Sequence, residues 1–121
     1  MKILIVDDSS VMRKIIIGNL AETDLEFEAV EASDGVDALE KIKNWGDIDV
    51  VLCDWIMPRM DGMTFIKELR RNTDSARSPI IVVTTEGSIV KMEEALTQGA
   101  NDYIVKPFTA EELYQRIINL V

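Results

Sequence analysis

Three short apolar runs divide the chain at regular intervals: Ile3-Leu4-Ile5-Val6, Val50-Val51-Leu52-Cys53 and Ile80-Ile81-Val82-Val83. Each is rich in β-branched side chains and none alternates with polar residues, which is the pattern of strands covered on both faces. Two weaker runs, 27–32 and 103–105, have Glu28, Glu31 and Asp102 within or beside them. Edge strands tolerate such residues better than central ones, so these runs are placed at the sheet's edges.

Helical spacing fills the intervals. The clearest case is C-terminal, where Ala110, Leu113, Tyr114, Ile117, Ile118 and Val121 follow the i, i+3, i+4, i+7 template and Thr109 with Glu112 forms a capping box. Earlier helices are expected over 10–21 (Met12, Ile16 and Leu20 in line), 35–43 (Ala38, Leu39, Ile42), 63–71 (Phe65, Ile66, Leu69) and 88–98 (Met92, Ala95, Leu96), the last stopped by Gly99. The order is strand then helix throughout, and the connections are only long enough for crossover helices. The simplest architecture is an α/β, doubly wound five-stranded parallel sheet with right-handed crossovers. With the three apolar strands inside and the two mixed ones outside, the strand order is 2-1-3-4-5, the flavodoxin-like arrangement. One domain over 1–121 is expected, since this length builds a single core and no linker or internal repeat is visible.

Charge narrows the possible partners. Thirteen basic against twenty-two acidic residues give a formal charge of −9, which repels nucleic-acid phosphates and anionic membranes. No apolar stretch approaches membrane-spanning length and the first apolar run is too short for a signal peptide, so a soluble cytoplasmic protein is expected. Histidine is absent, which removes the commonest transition-metal ligand and general base. A bound metal should then be a hard, oxygen-ligated ion. The lone Cys53 has no internal disulfide partner and reads as a buried core thiol.

In a sheet of this order, ligands bind beyond the carboxyl ends of the strands, near the switch between the first and third. The first strand ends in Asp7 and Asp8, the third in Asp54, the fourth in Thr84 and Thr85, and the fifth in Lys106 before Pro107. Three carboxylates in one pocket repel unless one is protonated or a cation neutralises them, and Mg²⁺ suits an all-oxygen set. Such an ion would let Asp54 approach a phosphoryl donor, with Lys106 and Thr84 holding phosphoryl oxygens. A flavin phosphate fits poorly, because Asp7 and Asp8 would repel it.

These residues resemble the bacterial response-regulator receiver family along the whole chain. The resemblance rests on Ile-Leu-Ile-Val-Asp7-Asp8-Ser9-Ser10, Asp54-Trp-Ile-Met-Pro58-Arg-Met-Asp61-Gly62, Val83-Thr84-Thr85-Glu86 and Lys106-Pro107-Phe108, in order and at the right spacing. Ser10-Val-Met-Arg13, Trp55 and Glu86 look most like its stand-alone chemotaxis regulators. The resemblance implies that Asp54 accepts phosphate from a histidine kinase. Mg²⁺ would be bound by Asp8, Asp54 and the Ile56 backbone carbonyl, and by Asp7 through water. It implies a switch in which Thr84 moves with Tyr103, and a cis Lys106-Pro107 peptide. It also implies a monomer with a downstream protein partner, for which the flagellar motor switch is the candidate, and a phosphatase. Ile56 departs from the asparagine of the family's best-known chemotaxis member, and with Glu86 it would set the rate of phosphate loss. A rival reading, an aspartyl-phosphate phosphohydrolase, calls for Asp-x-Asp, whereas Asp54 is followed by Trp55 and Ile56. A second rival, a receiver-like module that takes no phosphate, leaves the complete set of Asp7, Asp8, Asp54, Thr84 and Lys106 unexplained.

Overall fold

The structure, a computed structural model, describes residues 1–72, 76–85 and 87–121. Its strands are β1 (Lys2–Val6), β2 (Glu28–Ala32), β3 (Val50–Cys53), β4 (Ile80–Thr84) and β5 (Asp102–Val105), and its helices α1 (Ser10–Ala21), α2 (Gly35–Trp45), α3 (Gly62–Asn72), α4 (Ile89–Gln98) and α5 (Ala110–Leu120). The sheet order is β2-β1-β3-β4-β5 and all the pairings are parallel, as the apolar runs require.

Alternation along the strands splits the core in two. On one face Ile3, Ile5, Val50, Leu52, Ile81 and Val83 pack with Ile16 and Leu20 of α1 and Leu113 and Ile117 of α5. On the other, Leu4, Val6, Val51 and Val82 pack with Ala38 and Ile42 of α2, Phe65, Ile66 and Leu69 of α3 and Ala95 of α4. Each central strand buries consecutive residues because successive side chains point to opposite, equally covered faces.

Side chains fix where helices begin. Ser9, Asp34, Ser88 and Thr109 accept hydrogen bonds from the backbone N–H of Met12, Asp37, Lys91 and Glu112 at 2.9–3.1 Å, supplying partners that helix N-termini lack. Ser88 is therefore a cap rather than the first helical residue. α2 runs two residues past its expected end, to a stop at Gly46 (φ 74°), and Gly99 (φ 122°) ends α4. The expected apolar stripes are too wide: Leu96 and Ile118 are exposed, because the sheet covers a narrower arc than the periodic template marks, and Val121 lies past the end of α5 and is exposed too. Arg70 ties the far ends of α3 and α4 together, donating to the carbonyls of Gly99, Ala76 and Ser78 and to Asn101 Oδ1. No helix among the described residues is long and apolar enough to cross a membrane.

Phe65 is fully buried between α3 and the sheet. Phe65→Ala is expected to lower unfolding free energy by about 3–5 kcal/mol, read from the urea midpoint at unchanged slope.

Candidate functional site

The sheet's hydrogen bonding extends one residue past β1 and β3. Asp7 N–H donates to Ala32 O at 3.1 Å, and Asp54 N–H donates to Val6 O at 2.9 Å. Both carboxylates thus stand on backbone held by the ladder, at the point where the strand order reverses. Oxygens of Asp7, Asp8 and Asp54 lie within 4.8 Å of one another.

Their surroundings differ. Asp7 is buried; one of its oxygens accepts from Ser9 N–H at 2.9 Å and the other from Lys106 Nζ at 2.9 Å. Asp54 Oδ1 accepts from Trp55 N–H at 2.7 Å and more distantly from Ile56 N–H, while its Oδ2 lies 3.5 Å from Lys106 Nζ. Asp8 is exposed and has no hydrogen-bond or ion-pair partner among the described residues. Lys106, only 11% exposed, is the single ammonium paired with this group among the described residues. Three carboxylates against one ammonium leave two negative charges in excess. That imbalance and the hard oxygen donors fit a small divalent cation, with Asp8 and Asp54 the carboxylates open to it and Asp7 already held on both oxygens.

Lys106 follows β5 through a cis peptide to Pro107, and its N–H donates to Thr84 O at 2.8 Å. Thr84 is fully buried at the end of β4. Since Cys53 pairs with Val82 in register, Thr84 stands one step beyond the level of Asp54; Thr85 is exposed. Tyr103 pairs with Val82 and is buried, so its ring occupies the inward position in this structure. Trp55 is also buried, whereas Ile56 is 61% exposed beside the carboxylate of Asp54. Glu86 lies outside the described residues. Burial, reinforced by the charges of Asp54, Asp7 and Asp61, pushes the Cys53 thiol far up, in keeping with an inert core residue.

The segment between β3 and α3 closes against the site through Gly62. A Cβ there would meet Asp54 O at 2.7 Å and Trp55 Cα at 2.8 Å, and Gly62 N–H donates to Trp55 O. Only glycine permits this approach, and Asp61 caps the helix behind it by accepting from Thr64 N–H.

Two neighbouring contacts escaped the sequence. Arg13 Nη1 donates to Asp7 O at 2.6 Å while its Nε holds Glu31. Arg59 Nε donates to Asp34 Oδ2 at 2.7 Å. The Ser33-Asp34-Gly35 start of α2 could have suggested a cap at Asp34, but nothing local points to a partner 25 positions away.

The Arg59 hydrogen bond holds the Asp34 carboxyl below its ordinary value of 3.8; burial opposes this, and the Asp37 N–H adds to it. A depressed carboxyl contributes stability above its unfolded pKa and loses it as pH falls through the folded one. The stability gap between wild type and Asp34→Asn should therefore be largest above about pH 5 and shrink progressively on acidification, as measured by urea unfolding at each pH.

Comparison with known proteins meets this geometry from the other side. The family model of the response regulator receiver domain matches residues 3–118. The chain is 43% identical over 117 residues to chemotaxis protein CheY1 of Helicobacter pylori, covering 97% of this chain and 94% of that one. Among solved structures it is similar to Vibrio cholerae chemotaxis protein CheY4 (TM-score 0.89, 34% identity, 99% and 98% of the two chains). It is also similar to the receiver domain of the Pseudomonas aeruginosa sensor histidine kinase PA1611, which has a magnesium ion coordinated in its active-site cleft (TM-score 0.86, 29% identity, 98% and 95%). The parallel sheet, the acidic group at its switch point and these matches have one reading: the chain belongs to the response regulator receiver domain family.

Proposed function

We propose that this protein is a phosphorylation-activated switch of a chemotaxis pathway, regulatory rather than enzymatic, with Asp54 as its phosphoacceptor. The observation that carries the reading is the convergence of Asp54 with Asp7, Asp8 and Lys106 in one partly buried group at the strand ends.

A phosphohistidine on a histidine kinase would be the donor. An Asp54 oxygen attacks phosphorus, the phosphorus–nitrogen bond breaks, and its electron pair leaves with the imidazole. Asp8, Asp54 and the Ile56 backbone carbonyl would hold Mg²⁺, with Asp7 reaching it through water. When bound, the ion neutralises the repulsion between the carboxylate and the incoming phosphoryl oxygens. Asp54 Oδ1 is oriented by Trp55 N–H, so Oδ2 is the oxygen presented to the donor. Lys106, already beside that oxygen, pairs with a phosphoryl oxygen, and Thr84 follows as hydrogen-bond donor to another. About two negative charges arrive with the phosphoryl group, enough to bias a loop whose two states lie within a few kcal/mol. Tyr103 is already inward here, so the change it marks is the stabilisation of this packing rather than a new entry into the core. The output reaches a downstream protein, with the flagellar motor switch the candidate, through the exposed apolar residues Ile89 and Val90 of α4 and Val105 of β5.

Incubation with Mg²⁺ and acetyl phosphate should add one phosphoryl mass to the wild type and none to Asp54→Asn, as read by intact mass spectrometry. No gain, or an equal gain in both, overturns the assignment. Ile56 sets an apolar, exposed side chain where water must approach Asp54. A polar replacement that orients this water by one hydrogen bond is worth about 1 kcal/mol, roughly fivefold in rate. Ile56→Asn should therefore lose phosphate faster after the donor is removed; unchanged or slower decay sinks the idea.

A further inference from the structure

Among the described residues other than glycine, Arg59 alone has a positive φ, +61°. Met60 N–H donates to Pro58 O, two residues back, at 2.6 Å. Together these describe a γ-turn of the rare, strained hand centred on Arg59. Such a conformation is unfavourable on its own and persists only where its surroundings impose it.

The surroundings are on the far side of β1. Arg59 Nε donates to Asp34 Oδ2 at 2.7 Å, and Asp34, 4% exposed, is itself fixed as the cap of α2 through Asp37 N–H. The same two segments abut a second time: a Cβ on Gly35 would come within 2.8 Å of the Met60 side chain. Since β1 lies between β2 and β3, this contact joins the connection after β2 to the connection after β3, on either side of the strand that ends in Asp7 and Asp8. A surface ion pair alone would contribute little. Here one partner is buried and the other stands on strained backbone five residues after Asp54, in the segment that carries Ile56 and closes at Gly62.

We propose that Arg59 is a positioning residue: its bond to Asp34 holds segment 55–61 so that the Ile56 carbonyl and the Trp55 N–H complete the site around Asp54. The inference rests on the metal-assisted phosphoacceptor reading above.

Two variants test it in the full chain. Arg59→Gly removes the latch and relieves the positive φ, so it should not lower Tm through the backbone. Asp34→Asn removes the charged acceptor and keeps a competent helix cap. If the latch positions the site, each should weaken Mg²⁺ binding by about tenfold, measured calorimetrically. The double variant should be no weaker than either single. Amide exchange at Met60 and Gly62 should quicken in each without metal. Simple charge effects predict opposite signs, tighter binding for Arg59→Gly and weaker for Asp34→Asn, and that pattern overturns the proposal. So does unchanged affinity in all three variants, which would leave the latch a stabilising contact only. A wild type that shows no binding heat for Mg²⁺ overturns the metal reading and this inference with it. A failed latch differs from that case by a wild type that binds.

Discussion

The central strands of this sheet are covered on both faces, and residues so enclosed cannot carry charge without a partner for it. Ile3 to Val6, Val50 to Cys53 and Ile80 to Val83 are accordingly apolar throughout. Charge is admitted only where the strands stop, and because all the strands are parallel, their carboxyl ends stop together. Asp7, Asp54, Thr84 and Lys106 are brought to one edge by that constraint alone. The ladder runs on by one residue at Asp7 and at Asp54, so the acidic residues inherit the rigidity of the sheet rather than the freedom of a loop.

Within that edge, hydrogen bonding separates residues of identical chemistry. Asp7 is buried and saturated by Ser9 N–H and Lys106, which makes it a support. Asp54 is held on one oxygen by the backbone after it and leaves the other beside Lys106. Asp8 stands open to solvent. At the end of β1 the division follows position: Asp7, still paired to the neighbouring strand, is buried, and Asp8 after it is not.

The loops that finish the site are less free than their composition suggests. Gly62 lets α3 start against the backbone of Asp54 and Trp55. The strained turn at Arg59 is tied to Asp34, and Arg13 holds the carbonyl of Asp7 from the first turn of α1. Each contact links a segment next to an acidic residue to a neighbouring element, so the outer edge of the site is held by long-range bonds where the sheet no longer reaches.

The sequence by itself determined the order of strands and helices, the edge placement of the strands with Glu28 and Asp102, and the candidates Asp7, Asp8, Asp54, Thr84 and Lys106. These were legible because periodicity and strand-end position are local signals. Helix ends were legible to within two residues, more closely where a cap lay nearby, as at Ser88, and least closely at the end of α2, where the stop depends on the positive φ of Gly46. The width of the buried helical stripe was not, since the exposure of Leu96 and Ile118 depends on how far the sheet extends beneath them. Only the tertiary structure decided which carboxylate Lys106 pairs with most closely, that Tyr103 lies inside, and that Arg59 reaches Asp34. Those contacts join residues far apart in the chain, and a side chain's partner at that distance is set by the packing of whole elements, which no local pattern records.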